Sequence, residues 1–344
     1  MMGTGTFAEP TFEALLADFG GDVVGLVTQP ERDSGNKRGS TRQTGKGMAN
    51  IACAAGVPVA QPESINTPEG LAQLREMRPD LMVVAAYGQI LSKDVLSTPT
   101  IGTINVHASL LPKYRGAAPV AYAILNGESQ TGVTIIKVTP GLDSGDMILQ
   151  ESLDILPDDT TGSLEARLAV LGAKLAVEAV RKYQAGGPID GVKQNPALVT
   201  KAPKIKKEFG LIDWTKPAEA IGRHVRAMQP WPTAYTFLHR PDKEPMRVIM
   251  NKSGTWAAIS WSPILGPSPT TPGRPLLLHL GAGMGSGGVG TQQGQPRLMI
   301  SCIGGTLLEI LELQPAGKKR MTAEEFLRGY PIVEGMRFGP EALS

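Results

Sequence analysis

Residues 104–127 read INVHASLLPKYRGAAPVAYAILNG, a short apolar strand followed by a proline-containing loop and a helix-like segment. Side chains alternate between the two faces of a strand, so Asn105 and His107 lie on the same face. Apolar residues recur at helical spacing over 117–127, and Gly127 is the type of residue that ends a helix. A strand, a loop and a helix in this order are typical of a parallel α/β sheet, which this stretch therefore predicts.

The same alternation of strands and helices extends over the first half of the chain. Short apolar runs bounded by Gly or Pro are typical of strands that are buried on both faces. The predicted strands cover 22–30, 81–88, 102–109, 131–141 and 146–155, and the predicted helices cover 68–77, 117–127 and a long segment that begins after Thr160 or Thr161. We expect the last two strands to form an antiparallel pair that extends an otherwise parallel sheet.

A chain of 344 residues is long enough for about two domains. We predict a Rossmann-like α/β domain over 1–188, with a mostly parallel sheet and helices on both faces. Residues 189–208 are polar and rich in lysine, and they are predicted to form a linker. Short strands separated by Pro and Gly predict a small C-terminal β-barrel, similar to an OB fold, over 209–344. Within it, residues 281–296 are so rich in glycine that we expect a surface loop.

The overall composition excludes several classes of protein. Hydrophobic residues make up 41% and charged residues 19% of the chain, as in ordinary soluble proteins. No run approaches the ~20 apolar residues that cross a bilayer, and no secretory signal is recognisable, so we expect a cytosolic protein without a membrane partner. Cys53 and Cys302 are too isolated for a disulfide framework or a metal cluster, and we predict that both are small buried residues. A net charge of +2 is too small to indicate a nucleic-acid-binding protein by itself.

The end of the strand at Asn105 and His107 carries the residue types that acyl transfer requires. The Asn105 amide can donate a hydrogen bond to a developing oxyanion, and the His107 imidazole can move a proton. Residues 139–148 supply two carboxylates that could orient the imidazole, Asp143 and Asp146. Asp143 is the better candidate, because the glycines on either side of it leave room for a ligand. On the residues alone, a structural histidine and a solvated turn remain alternatives.

Longer motifs favour the catalytic interpretation. The chain resembles the formyltransferases that use 10-formyltetrahydrofolate, and the motifs that carry the resemblance are Asn105 and His107, SLLP at 109–112, RGAAP at 115–119 and GLDSGD at 141–146. Within that superfamily it is most similar to the methionyl-tRNA formyltransferases. The further motifs that support this closer resemblance include TQP at 28–30, AAYGQIL at 85–91, IDW at 212–214, PWP at 230–232 and QPAGKK at 314–319. The last three lie in the second domain, which simpler members of the superfamily lack.

The resemblance implies transfer of a formyl group from 10-formyltetrahydrofolate, as co-substrate, to the α-amino group of methionine on the initiator tRNA, for translation initiation. It implies catalytic roles for Asn105, His107 and Asp143, with no metal and no covalent intermediate. The residues that it places at the folate pocket are Tyr87, Gly88, Ser109, Leu110, Leu111 and Pro112. We expect the enzyme to be a monomer.

A tRNA substrate would explain three clusters of basic residues in the sequence. Residues 31–46 contain five Lys or Arg residues and two acidic residues, and the Gly and Ser between them indicate a flexible loop. Cations beside a formyl-transfer site are suited to phosphate contacts, although isolated basic clusters are often only solvated surface. The predicted tRNA-binding residues are Lys37, Arg38 and Arg42 in this loop, Lys206 and Lys207 in the linker, and Lys318 in the second domain.

Three other functions remain as alternatives. One is formyl transfer to a small amine such as a nucleotide-linked amine, and another is hydrolysis of the formylfolate. The second domain argues against both. The third is a folate-binding or tRNA-binding protein without catalysis, which the combination of Asn105, His107 and Asp143 argues against.

The beginning of the chain departs from the pattern of the family. There, an apolar strand precedes a Gly-Thr-x-x-Phe-Ala loop, which corresponds to residues 3–8 here. Only Met1 and Met2 precede this loop in the present sequence. We therefore expect either that the start is assigned too late or that the sheet lacks its first strand.

Overall fold

The computed structural model describes residues 1–30, 45–186, 189–256, 272–279 and 296–342. The chain forms two compact units. The first contains Met1–Ala123 and Glu128–Ile205, and the second contains Ile124–Gly127 and Lys206–Ser344. Most of the glycine-rich segment predicted as a surface loop lies outside the described residues.

The first unit is built on a seven-stranded sheet with the order β3-β2-β1-β4-β5-β6-β7. Its strands are β1 Met2–Gly3, β2 Leu26–Val27, β3 Val59–Ala60, β4 Leu81–Ala85, β5 Gly102–His107, β6 Gln130–Lys137 and β7 Met147–Asp154. The pairs among β1 to β5 are parallel, and β6 and β7 are added in antiparallel pairs. The predicted mostly parallel sheet with an antiparallel extension is confirmed.

The prediction that the sheet lacks its first strand is wrong. Met2 pairs with Val27 of β2 on one side and with Val84 of β4 on the other, so β1 fills the position between them. The strand has only two residues, Met2 and Gly3. A Cβ on Gly3 would lie 2.8 Å from the Cβ of Ala8, so glycine permits the chain to turn closely into the first helix.

Helices cover both faces of this sheet, as predicted. They are α1 Glu9–Phe19, α2 Met48–Ala54, α3 Pro68–Glu76, α4 Lys93–Leu96, α5 Pro119–Leu125 and α6 Thr161–Gln184. On one face, Leu74 of α3 and Val95 of α4 pack in one cluster with Val84 of β4. On the other face, Gly172 brings α6 so close to Val106 of β5 that an added Cβ would lie 2.7 Å from it. None of the helices in the described part of the chain combines the length and the apolar character that a bilayer-spanning helix requires.

Local sequence explains the start of the longest helix. The Thr160 hydroxyl accepts a hydrogen bond from the Ser163 N–H, and the Ser163 hydroxyl accepts one from the Thr160 N–H. This reciprocal capping satisfies N–H groups that have no partner within the helix. The helix was predicted to begin after Thr160 or Thr161, and it begins directly after Thr160, at Thr161.

The second unit is an antiparallel sheet with two helices among its described residues. The strand order is β10-β11-β12-β9-β8-β14, and β13 pairs with β12. Its strands are β8 Ala234–Arg240, β9 Lys243–Trp256, β10 Pro275–His279, β11 Pro296–Ser301, β12 Leu307–Pro315, β13 Met321–Thr322 and β14 Arg337–Gly339, and its helices are α7 Ala218–Ala227 and α8 Ala323–Gly329. The β-structure predicted for this part of the chain is confirmed, and the structure shows that its strands pair antiparallel and that β9 is long, with 14 residues.

The segment predicted as a linker packs against the first unit over most of its length. Val192 forms an antiparallel bridge with Met147, and Lys201 forms a parallel bridge with Arg115. Residues up to Ile205 belong to the first unit, and the second begins again at Lys206. The lack of hydrophobic periodicity in this segment therefore reflects an irregular strap held by backbone hydrogen bonds and not a free connection.

Candidate active site

The first unit has a cavity of about 540 Å³ at the carboxyl ends of β4 and β5. Its walls come from the loop 86–91 after β4, the end of β5 at 105–108 and the turn 138–144 between β6 and β7, with Phe7 and Glu165 adding side chains. Ligands of open α/β sheets bind beyond the carboxyl ends of the strands, and small-molecule sites have volumes of about 300–1,000 Å³. Both the place and the size are those of a substrate site.

Asn105 and His107 both line this cavity from β5, as their alternation along the strand predicts. In the described part of the chain, the Asn105 side chain makes no hydrogen bond, although Asn105 is only partly exposed. Its amide is therefore available to a ligand.

The environment of His107 fixes which ring nitrogen can react. Nε2 lies 3.0 Å from the Tyr114 carbonyl oxygen, which can only accept, so Nε2 carries a hydrogen. Nδ1 lies 3.6 Å from Oδ2 of Asp143. Burial lowers the pKa of His107, while the Asp143 carboxylate and the bond to the Tyr114 carbonyl oppose this shift. Burial therefore favours a neutral ring with the lone pair on Nδ1, which faces the carboxylate.

Asp143 is held in an unusual backbone conformation beside this imidazole. Its φ of 43° lies in the left-handed region that is uncommon for residues other than glycine. The N–H of Gly116 donates to Oδ2 of Asp143 at 2.8 Å and so fixes the carboxylate. Asp146 does not line the cavity, and its backbone carbonyl accepts the N–H of Lys137 at 3.0 Å within the hairpin. The geometry thus favours Asp143 over Asp146 as the partner of His107.

The loop that contacts both His107 and Asp143 is itself anchored by the strap. The Thr200 carbonyl accepts the N–H of Arg115 at 2.9 Å, and the Arg115 carbonyl accepts the N–H of Ala202 at 2.7 Å. The Tyr114 N–H donates to the Thr200 hydroxyl at 2.8 Å. A Cβ on Gly116 would lie 2.6 Å from the Ala202 carbonyl oxygen, and φ of Gly116 is 125°, so this position requires glycine.

Comparisons with known proteins show to which family the chain belongs. The formyl transferase family model matches residues 1–180, and the model of the formyl transferase C-terminal domain matches residues 204–331. The methionyl-tRNA formyltransferase of Geotalea uraniireducens is 40% identical over 98% of this chain and 96% of that protein. The methionyl-tRNA formyltransferase of Bacillus subtilis is 39% identical over 97% of this chain and 95% of that protein.

The chain belongs to the methionyl-tRNA formyltransferase family. Solved structures of more distant proteins share the fold. The N-formyltransferase from Helicobacter canadensis, in complex with folinic acid and dTDP-3-aminofucose, matches with a TM-score of 0.58 at 19% identity and covers 90% of this chain and 97% of that chain. HypX from Aquifex aeolicus, in complex with tetrahydrofolic acid, matches with a TM-score of 0.52 at 16% identity and covers 80% of this chain and 44% of that chain.

Two of the six residues predicted at the folate pocket line the cavity. These are Tyr87 and Gly88, which follow β4. Residues 109–112 lie outside the lining. The Ser109 hydroxyl donates to the Lys113 carbonyl at 2.7 Å, and the buried turn continues through a cis peptide bond before Pro112. The structure gives residues 109–112 a role in shaping the turn after β5, and their contact with folate stays a prediction.

The structure also shows two residues of the site that the sequence did not indicate, one that lines the cavity and one that contacts the turn of Asp143. Glu165 of α6 lines the cavity, and burial raises the pKa of its carboxyl to about 7. Gln194 of the strap hydrogen-bonds the backbone of Asp143. Neither has a local signal, because Glu165 occupies an ordinary position of an amphipathic helix and Gln194 lies in a polar segment without periodicity.

The predicted tRNA-binding residues are only partly described by the structure. Lys206, Lys207 and Lys318 are exposed. Lys37, Arg38 and Arg42 lie outside the described residues. Within the described ranges, no group of three or more His, Cys, Asp or Glu side chains is placed to hold a metal ion.

Proposed function

We propose that the chain transfers the formyl group of 10-formyltetrahydrofolate to the α-amino group of methionine on the initiator tRNA, a step that prepares this tRNA for translation initiation in the cytoplasm. Membership of the methionyl-tRNA formyltransferase family supports the reaction. One observation carries the chemistry: the buried His107 turns Nδ1 to the Asp143 carboxylate, at 3.6 Å, in a cavity that also holds the Asn105 amide.

The cavity suits a folate-derived formyl donor. Its volume of about 540 Å³ is in the range of small-molecule sites, and the Asn105 amide has no protein partner among the described residues. Two structures of the same fold contain folinic acid and tetrahydrofolic acid. The co-substrate supplies the activated formyl group. We assign Tyr87 and Gly88 to its pocket, because both belong to the loop that lines the cavity beyond β4.

The pair formed by His107 and Asp143 suits an amine acceptor. Nδ1 of the neutral imidazole has no donor, and Oδ2 of the carboxylate can accept a second hydrogen bond beside that from the Gly116 N–H. An amine or ammonium group can donate to both atoms. A primary amine becomes a nucleophile once it loses its extra proton, so the protein needs only to position it and take protons away. The arrangement therefore suits an amino group better than a hydroxyl group, which has a single donor.

Nδ1 of His107 is the atom that moves the proton. The neutral ring takes a proton from the attacking amine, and Asp143 stabilises the imidazolium that results. Nδ1 then delivers this proton to the leaving nitrogen. Nε2 remains bonded to the Tyr114 carbonyl at 3.0 Å throughout, so the ring does not need to rotate.

Asn105 acts on the oxygen of the transferred group. Negative charge develops on this oxygen as the amine attacks, and a fixed N–H donor in the cavity stabilises it. The Asn105 side-chain amide has free donors and lines the same cavity as His107.

Exposed cations are proposed to hold the tRNA outside the cavity. Lys206, Lys207 and Lys318 are exposed and have no ion pair among the described residues. Phosphate contacts by such residues depend strongly on salt concentration and little on sequence. We assign the same role to the basic loop that contains Lys37, Arg38 and Arg42, on the strength of its composition.

Acceptor competition tests the proposed function. The purified protein is supplied with 10-formyltetrahydrofolate and with one acceptor at a time: methionyl initiator tRNA, free methionine, a nucleotide-linked amino sugar, or water alone. We expect rapid release of tetrahydrofolate only with the charged tRNA, and mass spectrometry should find the formyl group on the α-amine. Equal release with water, or faster release with the amino sugar, would contradict the proposal.

A further inference from the structure

The side chain of Gln194 connects the turn of Asp143 to Arg115. Its Nε2 donates to the backbone carbonyls of Asp143 and Gly145, both at 2.8 Å. Its Oε1 accepts hydrogen bonds from Nε and Nη2 of Arg115, at 3.0 and 2.7 Å. A side-chain amide has two N–H donors and two acceptor positions, so every hydrogen-bonding site of Gln194 is used.

The turn that Gln194 contacts needs external support. A non-glycine residue in the left-handed region, such as Asp143 with its φ of 43°, has a strained backbone that persists only where the surroundings hold it. Residues 143–145 also lie in the short connection between β6 and β7, which has no regular hydrogen-bond ladder of its own. Two hydrogen bonds from one rigid amide, on carbonyls two residues apart, restrict this backbone at the point where the strain lies.

Gln194 clamps the turn of Asp143 through these two hydrogen bonds, and Arg115 makes this clamp stronger than an isolated glutamine would be. The guanidinium donates two N–H groups to one oxygen, and a positive charge on that side of the amide polarises its N–H donors on the other side. Arg115 is in turn fixed through its backbone N–H and carbonyl, by Thr200 and Ala202. The chain of contacts therefore runs from the strap through Arg115 and Gln194 to Asp143.

We propose that Gln194 is a positioning residue for the formyl transfer, which holds the backbone of Asp143 so that its carboxylate faces Nδ1 of His107. The inference rests on the proposed function of Asp143 and adds the group that places it. Gln194 itself touches no reacting atom in this assignment, since its side chain is fully used within the protein.

Two substitutions separate the contacts of Gln194. Gln194→Leu removes all four hydrogen bonds. Gln194→Glu keeps oxygen acceptors for Arg115 but has no N–H for the carbonyls of Asp143 and Gly145. We expect both variants to lower kcat by about 10- to 100-fold, because small displacements of a catalytic group have effects of this size. The matched control is Gln229→Leu, since Gln229 also donates to two backbone carbonyls, those of Val225 and Asn251, but in the second unit.

A double-mutant cycle with Asp143→Asn tests whether Gln194 acts through Asp143. If it does, adding Gln194→Leu to Asp143→Asn lowers kcat by less than about threefold further. A purely structural role would make the two losses multiply. The pH profile gives a second readout. The Asp143 carboxylate raises the pKa of His107, so its displacement in Gln194→Leu should move the acid limb of kcat to lower pH, in the same direction as Asp143→Asn.

Hydrogen exchange at Gly116 reports the clamp without any reference to catalysis. The Gly116 N–H donates to Oδ2 of Asp143, so it exchanges faster once the carboxylate moves away. Faster exchange at Gly116 in both Gln194 variants, with the losses of kcat given above, supports the proposal. Unchanged exchange, a Gln194→Glu variant with wild-type kcat, or losses that multiply in the cycle would overturn it.

The failure of the proposed function would look different. If Asp143→Asn keeps the wild-type kcat, the assignment of Asp143 is wrong and the positioning role for catalysis is wrong with it. Exchange at Gly116 would still show whether Gln194 holds the turn. If Asp143→Asn is impaired and both Gln194 variants are fully active, only the positioning role is overturned.

Discussion

A gap of 3.6 Å separates Nδ1 of His107 from Oδ2 of Asp143, which is longer than a hydrogen bond. Because Nε2 already donates to the Tyr114 carbonyl, the neutral ring turns a lone pair toward the carboxylate, and neither atom has a proton to share. The two atoms gain a hydrogen bond when a donor group bridges them from the side or when the ring gains a proton. In the proposed reaction, this resting pair receives the proton that the attacking amine releases.

Replacing His107 removes this proton acceptor. We expect His107→Ala to lower kcat by ~100-fold or more, because general acid–base catalysis contributes about that much, while folate binding stays unchanged. Single-turnover assays and equilibrium titration with the folate measure the two quantities. His239→Ala is the control, since Nε2 of His239 also contacts a backbone carbonyl, that of Pro340. Near-normal turnover in a folded His107→Ala protein would contradict the assignment of His107 as the proton acceptor.

Asp143→Asn keeps the shape of the side chain but removes its charge. We expect a loss of kcat similar to that of His107→Ala, since the amide stabilises an imidazolium poorly. The carboxylate raises the pKa of His107, so its removal should also shift the acid limb of kcat/KM to lower pH. Asp146→Asn should leave both rate and profile unchanged, because Asp146 does not line the cavity. An acid limb that moves to higher pH would contradict this account.

Glu165 should make the stability of the protein depend on pH. Burial raises the pKa of its carboxyl from 4.5 to about 7, so the folded state favours the protonated form. Its contribution to stability is complete below pH 4.5 and declines as the pH rises through about 7. We expect Glu165→Gln to raise the free energy of unfolding by about 1–3 kcal/mol at about pH 8 and to have little effect at about pH 4.

Urea unfolding at both pH values checks this expectation. Glu178→Gln serves as the control on the same helix, because Glu178 is about half exposed and is paired with Lys182. An equal effect of Glu165→Gln at both pH values would show that the Glu165 carboxyl does not titrate in the folded protein as proposed.

Short sequence patterns made part of the site predictable. Alternation along β5 places Asn105 and His107 together, and glycines on both sides of Asp143 mark a turn with room beside it. Glu165 and Gln194 could not be found in this way. Their places depend on which segments the fold brings together, and no spacing in the sequence indicates that α6 lines the cavity or that the strap contacts the turn of Asp143.

The turn between β6 and β7 depends on Gly145. A Cβ at this position would overlap the carbonyl oxygen of Lys137, so the two strands approach too closely here for any side chain. The sequence suggested that glycine leaves space for a ligand, but the structure shows that it leaves space for the neighbouring strand. The same residue receives a hydrogen bond from Gln194 on its carbonyl.

Gly145→Ala should therefore disturb both stability and catalysis. We expect a loss of about 1–3 kcal/mol in the free energy of unfolding and a fall in kcat, because the strands must separate and the turn of Asp143 moves with them. Gly20→Ala is the control, since a Cβ on Gly20 would meet nothing within 4 Å. Thermal melting and steady-state kinetics measure the two effects. A Gly145→Ala protein with unchanged melting and kcat would contradict the close packing seen here.

Long helices and strands were easier to predict than short ones, because more residues show the periodicity. The helix that begins at Thr161 has caps and apolar periodicity over 24 residues, and the two positions predicted for its start differ by one residue and include the observed one. In contrast, β1, β2 and β3 have two residues each, which is too short for any alternation to show. Met2 and Gly3 are recognisable as a strand only through their pairing with Val27, Val84 and Ala85.

At the scale of the whole molecule, the exposed lysines of the second unit should set the salt dependence of tRNA binding. Replacing Lys206, Lys207 and Lys318 by glutamine removes up to three phosphate contacts. We expect weaker binding of methionyl-tRNA and a log–log salt slope smaller by up to ~3, with unchanged affinity for the folate. Filter binding at several salt concentrations provides the slope.

The control removes the same charge from another surface. Lys174, Arg181 and Lys182 are exposed on α6, and each is paired with a carboxylate. Their replacement by glutamine should leave the slope close to that of the wild type. If the Lys206, Lys207 and Lys318 variant also keeps the wild-type slope, these three residues do not contact phosphate, and the basic loop with Lys37, Arg38 and Arg42 becomes the first candidate.

Domain organisation could be predicted only in outline. The change from alternating strands and helices to short strands was visible in the sequence, and two units are indeed present. The place of residues 189–205 could not be predicted, because backbone hydrogen bonds such as those of Arg115 with Thr200 and Ala202 leave no mark on side-chain composition. Polarity and missing periodicity describe a free connection and a tightly bound irregular strap equally well.

The ribosome makes Arg115 long before residues 200 and 202, so the hydrogen bonds between them can form only late in synthesis. All strands of the first unit, and α6, are complete by Gln184, but Gln194, Thr200 and Ala202 are translated later. A nascent chain can therefore close its sheet on the ribosome before the turn of Asp143 has its clamp. We therefore expect the proposed catalytic centre to be completed only after Ala202 has been translated, a few residues before the second unit resumes at Lys206.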